Sequence, residues 1–406
     1  MLKVIVRQHL VGLIGQISAA LPLLLVTVFL SRWVGVKEAG YFSIYVGSSA
    51  IVYSIALWGL RSLIVLDRFR HFDRSSYLAY RCVAVFLSGL TIFMIADHAN
   101  VNLALVWIVI LFRAVDSFID LNMAFDQVNI HNSSAIQNFC VRHLSKLAVV
   151  VVSFIFGYIF DHEVMYLVLV LAGVILLMFW LSKSVHIETQ QKSVQSSLCI
   201  VRMSAIFKAA SWFAIASVIC AVITNIPRVA VNFFYDGEMV GIVGVTLSVT
   251  AFFGMIFNMT WVRALPKFSS EASSRGVARF FVLENAAISV ILFLACYFLL
   301  PFVVAMIFGF EGSQNLELSR NVMLCSVVFF LGQIFSNLFK ITSKPWLESF
   351  SYLVGLLVGV SYWVTFGTDN GYYPLLISSG LAMGIFSLVL FFGLNRNQEQ
   401  NILPLD

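Results

Sequence analysis

The chain has 406 residues, of which 60% are hydrophobic, 15% aromatic and only 11% charged, against about 25% charged in an ordinary soluble domain. Mean hydropathy is +0.94. A water-soluble chain of this length needs far more polar surface to cover it, which excludes a soluble enzyme, a disordered regulator and a nucleic-acid binder. The apolar runs are long and unbroken, as in Leu10–Leu30 and Val164–Leu181. They fit membrane-crossing helices, not the short alternating segments of a transmembrane barrel.

Taken in chain order, the pattern predicts spans at 10–31, 41–66, 77–96, 103–125, 144–160, 164–182, 209–233, 240–262, 280–303, 321–341, 348–367 and 374–394. Each is close to the roughly 20 apolar residues a bilayer requires. Lys3 and Arg7 precede the first. Ser18-Ala19-Ala20 is a poor cleavage site, because the apolar run continues to Leu30, so the first span reads as uncleaved. The fourth span is the most polar. Between spans six and seven lies a polar stretch, 183–208, with the composition of a linker. The expected architecture is therefore an all-α polytopic membrane protein. Its parts are an N-terminal six-helix bundle (1–182), a cytoplasmic linker (183–208) and a C-terminal six-helix bundle (209–406). Pro22 in the first span and Pro227 in the seventh occupy corresponding places in the two halves. Pro-interrupted helices in matching positions point to where a transporter bends and binds, so both are hinge candidates.

Loop charge sets the orientation. With the N-terminus inside, eighteen of the 25 Lys and Arg fall in cytoplasmic segments, three (Arg32, Lys37, Arg320) fall outside, and Arg61, Arg81, Arg113 and Arg228 fall within spans. Both termini are then cytoplasmic. Lys146, Arg142 and Lys340 count here as cytoplasmic, Arg81 is expected to snorkel to the inner surface, and His131, His143, His162 and His186 read as ordinary solvated histidines near helix ends. The six cysteines have no metal or redox spacing and read as small packing residues.

No catalytic motif is present. There is no phosphate-cradling loop and no His-Glu-x-x-His, so neither cofactor nor metal is expected. What remains is charge inside the membrane. A mid-bilayer Arg or Asp costs about 2.5–3.5 kcal/mol on insertion scales and persists only beside a cavity or a partner. In the fourth span Arg113, Asp116 and Asp120 stand at i, i+3 and i+7, on one helix face. Arg113 lies roughly 15 Å along the helix from Leu103, near the midplane. Either Arg113 and Asp116 form a structural ion pair, or the face is the wall of a hydrophilic cavity. In the second case Arg113, with Arg61 and Arg228, attracts an anionic substrate, since guanidinium matches phosphate oxygens bidentately. Asp116 and Asp120 then exchange protons or cations. Tyr53, Trp58, Trp212 and Trp261 are aromatic groups suited to stacking on sugar faces.

Several segments carry a family resemblance. Leu30-Ser-Arg32-Trp-Val-Gly35-Val-Lys-Glu-Ala-Gly40-Tyr-Phe resembles the opening of the polysaccharide transporter family, with Val34 where that family often has Leu. Ile206-Phe-Lys208, Ile226-Pro-Arg228 and Val240-Gly241 resemble the start of its second half. Ala264-Leu-Pro266-Lys267-Phe268 and Ile307-Phe308-Gly309-Phe-Glu311 resemble two later loops. That family includes the O-antigen flippases (Wzx-type) of the multidrug/oligosaccharidyl-lipid/polysaccharide exporter superfamily. The resemblance implies a flippase that moves an undecaprenyl-diphosphate-linked oligosaccharide from the cytoplasmic to the periplasmic leaflet of the bacterial inner membrane by alternating access. Its implied partners are that lipid-linked oligosaccharide, membrane lipid, a polysaccharide polymerase and a chain-length regulator. A drug or cation antiporter of the same superfamily would share the twelve spans. A membrane polymerase would carry a long outward loop, and a lipid II flippase more helices or a stronger basic cavity.

Overall fold

A computed structural model describes the chain except for residues 1, 58, 66–73, 99–101, 130–131, 161, 190–198, 235–236, 271–273, 310–312, 342–345, 367–372 and 401–406. The side chains of Gln16, His162 and His186, like residues Trp58, His131 and Glu311, lie outside the described set. Fourteen α-helices are described. They are α1 (Leu2–Phe29), α2 (Val36–Leu57), α3 (Leu60–Val65), α4 (Arg74–His98), α5 (Leu103–Asn129), α6 (Asn132–Ile159), α7 (His162–Thr189), α8 (Cys199–Phe234), α9 (Gly237–Ser270), α10 (Ser274–Phe298), α11 (Leu300–Phe308), α12 (Ser313–Ser336), α13 (Trp346–Phe366) and α14 (Tyr373–Gln400).

Twelve of these helices exceed twenty residues. Ten of the twelve are long and apolar enough to cross a membrane by themselves, among the described residues. The other two are α5, whose polar face carries Arg113, Asp116, Asp120 and Asp126, and α8, which contributes the shorter apolar piece Ala210–Asn225. The protein is thus an all-α polytopic membrane protein with twelve spanning helices in two bundles. The membrane solvent dictates this, since a helix satisfies its own backbone groups where no water can.

The chain forms two compact units. One holds Met1–Trp33 and Tyr41–Val218, the other Val34–Gly40 and Ile219–Asp406. Residues 183–189 close α7 and 199–208 open α8, while 190–198 between them are outside the described set. In the first unit α1 packs on α6 and α5 packs on α4, α6 and α7. The second span is not one helix. It breaks at Gly59, in the left-handed region with φ 62°. A Cβ there would fall 2.4 Å from Phe213 Cβ, so only glycine serves. The break starts the short α3 and aims Arg61 at α5.

The second unit is built on close contact instead. α12 packs on α14 and α9, and α13 packs on α14. Small residues let these backbones approach. A Cβ on Gly332 would lie 2.1 Å from the Gly380 carbonyl oxygen. Nearby, the fully buried hydroxyls of Ser336 (α12), Ser351 (α13) and Ser387 (α14) close a ring, with Oγ separations of 2.8, 2.9 and 3.1 Å. Gly332→Ala is therefore expected to lower stability by about 1–3 kcal/mol through overpacking. Gly393→Ala, where nothing lies within 4 Å, should leave it unchanged or slightly raised. Thermal unfolding of the two purified variants in detergent tests the pair.

Candidate substrate and ion site

Helix α5 organises the charges of the first unit. Its apolar side is buried against neighbours, with Val109, Phe112, Val115 and Ile119 fully enclosed. Its polar side meets basic groups brought by α3, α4 and α6. Two arginines flank Asp120. Arg61 Nη1 on α3 lies 3.5 Å from Asp120 Oδ1, and its Nε donates to Gln127 Oε1 at 3.3 Å. Arg81 Nη2 on α4 lies 3.6 Å from Asp120 Oδ2, and Nη1 donates to Ser117 Oγ at 3.1 Å.

One turn earlier, Asp116 is held by Lys146 of α6, whose ammonium donates to Asp116 Oδ1 and, at 3.0 Å, to the Ala19 carbonyl of α1. His143 Nδ1 lies 3.8 Å from the same carboxylate oxygen. Arg113 Nη2 donates to the Val46 carbonyl of α2 at 3.2 Å, and Tyr53 of α2 donates to the Ile110 carbonyl at 3.1 Å. These two bonds run from opposite directions and tie α2 to α5. Immediately before Gln127, Asp126 accepts a hydrogen bond from Arg142 Nη2 at 2.6 Å, and the Arg142 guanidinium lies 5.4 Å from the Trp180 ring centroid.

Arg113, Asp116 and Asp120 do share one face, as the spacing requires. The structure also corrects the sequence reading at four positions. Arg81 does not snorkel: its side chain is fully buried and turned to Asp120 and Ser117. Lys146 and Arg142 are not loop residues. They belong to α6, which begins twelve residues before the predicted fifth span, and both are buried. His143 is buried rather than solvated. The ion pair at Asp116 exists, with Lys146 in place of the helical neighbour Arg113. The Arg142, His143 and Lys146 spacing, i, i+1 and i+4, is the signal that could have revealed this second polar face. Tyr53 is likewise buried, with its hydroxyl engaged. Among the proposed stacking aromatics, Trp212 is exposed at 50%.

Arg228 lies in the other unit. It follows Pro227 on α8 and is buried at 8% exposure. Pro227 cannot donate to the Ile223 carbonyl. In the turn before it, Thr224 Oγ1 bonds back to the Cys220 carbonyl at 2.9 Å and Asn225 Nδ2 to the Ala221 carbonyl at 2.8 Å. Such back-bonding bends helices. Pro22 is buried within α1, three residues beyond the Ala19 carbonyl that Lys146 engages.

Ten helices long and apolar enough to cross a membrane, with the charged α5 set among them, define a multi-pass membrane protein. No protein-family model matches the sequence, and no curated protein matches it. Solved structures do. The chain is similar to the MATE multidrug transporter DinF-BH at 15% identity and TM-score 0.71, over 96% of this chain and 95% of that one. It is similar to the outward-facing conformation of a multidrug resistance MATE family transporter of the MOP superfamily (13% identity, TM-score 0.58, 99% and 97% covered). It is also similar to the inward-facing conformation of such a transporter (13% identity, TM-score 0.54, 98% and 96% covered). The fold is that of the MATE transporters.

Removing Asp116's charge leaves the Lys146 ammonium buried without its carboxylate. Asp116→Asn is expected to destabilise the protein toward the lower end of the roughly 3–5 kcal/mol that breaking a buried pair costs, since Asp116 is 28% exposed. Asp116→Asn with Lys146→Met should recover much of that loss. Thermal unfolding of the two single variants and the double variant forms the cycle that measures it.

Proposed function

We propose that the chain is an exporter of the bacterial inner membrane, with both termini cytoplasmic, that moves its cargo by alternating access. The observation that carries this is the near full-length likeness to MATE transporters, one outward-facing and one inward-facing. Rocking of repeats about a midplane site is the general mode of such folds. For the cargo, the same likeness supports a drug or cation antiporter better than the lipid-linked oligosaccharide flippase implied by the sequence resemblance.

The flippase is the second reading, favoured by the charge of the α5 cluster. Arg61, Arg81, Arg113, Arg142 and Lys146 outnumber Asp116, Asp120 and Asp126, and each of those carboxylates already has a basic partner. A cationic drug needs an available carboxylate, whereas a diphosphate headgroup gains from surplus guanidinium. In the flippase reading Arg61, Arg113 and Arg228 are the proposed substrate-contacting residues, with Asp116 and Asp120 the proposed ion-coupling ones and Pro22 and Pro227 the proposed hinges.

Expression in a host stripped of its own drug exporters, alongside deletion in the native strain, separates the readings. A drug antiporter raises resistance to cationic dyes and leaves surface glycan intact. A flippase gives no resistance, and its loss accumulates an untranslocated lipid-linked repeat unit. For the flippase, Arg113→Ala at normal protein levels should cut transport about tenfold or more, the worth of one charged hydrogen bond. Full complementation by that variant removes Arg113 from the site.

A further inference from the structure

The second unit holds one buried ion pair among the described residues that the sequence reading passed over. Glu348 stands in the first turn of α13 and is 2% exposed. Its Oε1 lies 3.1 Å from Lys340 Nζ, on the tight 3₁₀ turn Asn337–Ile341 that follows α12. Its other oxygen, Oε2, is buried and has no hydrogen-bond partner among the described residues. An ionised carboxylate oxygen enclosed without a donor is a costly arrangement, and a helix start favours the charge only modestly.

The groups around the pair make its two halves unequal. Lys340 has support besides Glu348. It donates to Asn337 Oδ1 at 2.7 Å and lies 5.8 Å from the Trp261 ring centroid of α9. Glu348 has Lys340 alone among cations. The other titratable groups facing it are Cys220 of α8 and Tyr352 of its own helix. Tyr352 donates to the Gln333 carbonyl of α12 at 3.4 Å, and α14 brings only the Ser387 hydroxyl to α13 at Ser351. Loss of charge at Glu348 therefore leaves Lys340 still held, and a proton on Oε2 removes the one unpartnered charge.

We propose that Glu348 is a proton-binding site of the second unit, accepting a proton on Oε2 while Lys340 keeps its own. One O–H bond forms on Oε2 and one breaks in a hydronium ion of the bulk, which leaves as water. Lys340 is the more exposed member of the pair, at 16% against 2% for Glu348. Protonation weakens the ionic tie between the turn that follows α12 and the start of α13. The site does not depend on whether the cargo is a drug or a lipid-linked glycan.

Trp261 is a built-in reporter. The test is a pH titration of the full-length protein in nanodiscs, between about pH 4 and pH 9, the span from an ordinary to a deeply buried carboxyl. Wild-type fluorescence minus that of Trp261→Phe gives the Trp261 signal. A single step is expected, and Glu348→Gln should abolish it. No step in the wild type, or the same step in Glu348→Gln, overturns the proposal and leaves the pair a clip between two helices. Should Glu348→Gln fail to accumulate, Glu348→Asp decides: a displaced midpoint supports the site and an unmoved one overturns it.

Discussion

A charge in a low-dielectric interior must find a partner, and in this protein that requirement assembles the first unit. Helix α5 carries Arg113, Asp116, Asp120 and Asp126 through the membrane, and none of them can face lipid. Each pulls in a group from another element: Arg61 from α3, Arg81 from α4, Lys146, His143 and Arg142 from α6, and the Val46 carbonyl from α2. Lys146 extends the network to the α1 backbone. Much of this unit is therefore gathered around α5 by electrostatics. The second unit reaches the same compactness with glycines and hydroxyls, and one ion pair between α12 and α13.

The two strategies have different consequences for work. Packed glycine contacts have one good geometry and resist change. A network of paired charges has alternatives, because Asp116 and Asp120 each lie beside two basic groups. Asp120 lies 3.5 and 3.6 Å from Arg61 and Arg81, slack enough for an ion or a substrate oxygen to exchange with either. That is the physical basis for placing cargo recognition on α5, whichever cargo it is.

Much of this was legible in the sequence. Hydropathy located twelve helices, and the i, i+3, i+7 spacing found the charged face of α5. The partners were not legible for a definite reason. A long basic side chain near a span end looks the same whether it snorkels outward or turns inward, and counting Lys and Arg by loop assigns it outward. Arg81, Arg142 and Lys146 all turn inward, and only the packing of α4 and α6 on α5 decides it. Hydropathy also underrates α5 itself, because its charges remove it from the class of plainly apolar helices. Glu348 escaped notice because an acidic residue at a helix start is ordinary in any protein. What sets it apart is enclosure by α8, α9 and α12, which spacing does not encode.

The trio of serines on α12, α13 and α14 carries a mechanical implication. Hydroxyls meeting pairwise at 2.8–3.1 Å, with Ser336 Oγ also donating to the Gly332 carbonyl at 3.1 Å, can exchange which of them donates, so the junction tolerates rotation of its protons but not separation of its oxygens. Beside it, the backbones of α12 and α14 touch at Gly332 and Gly380. Those three helices are consequently joined through both hydroxyls and backbone, whereas α8 carries its own bending point at Pro227.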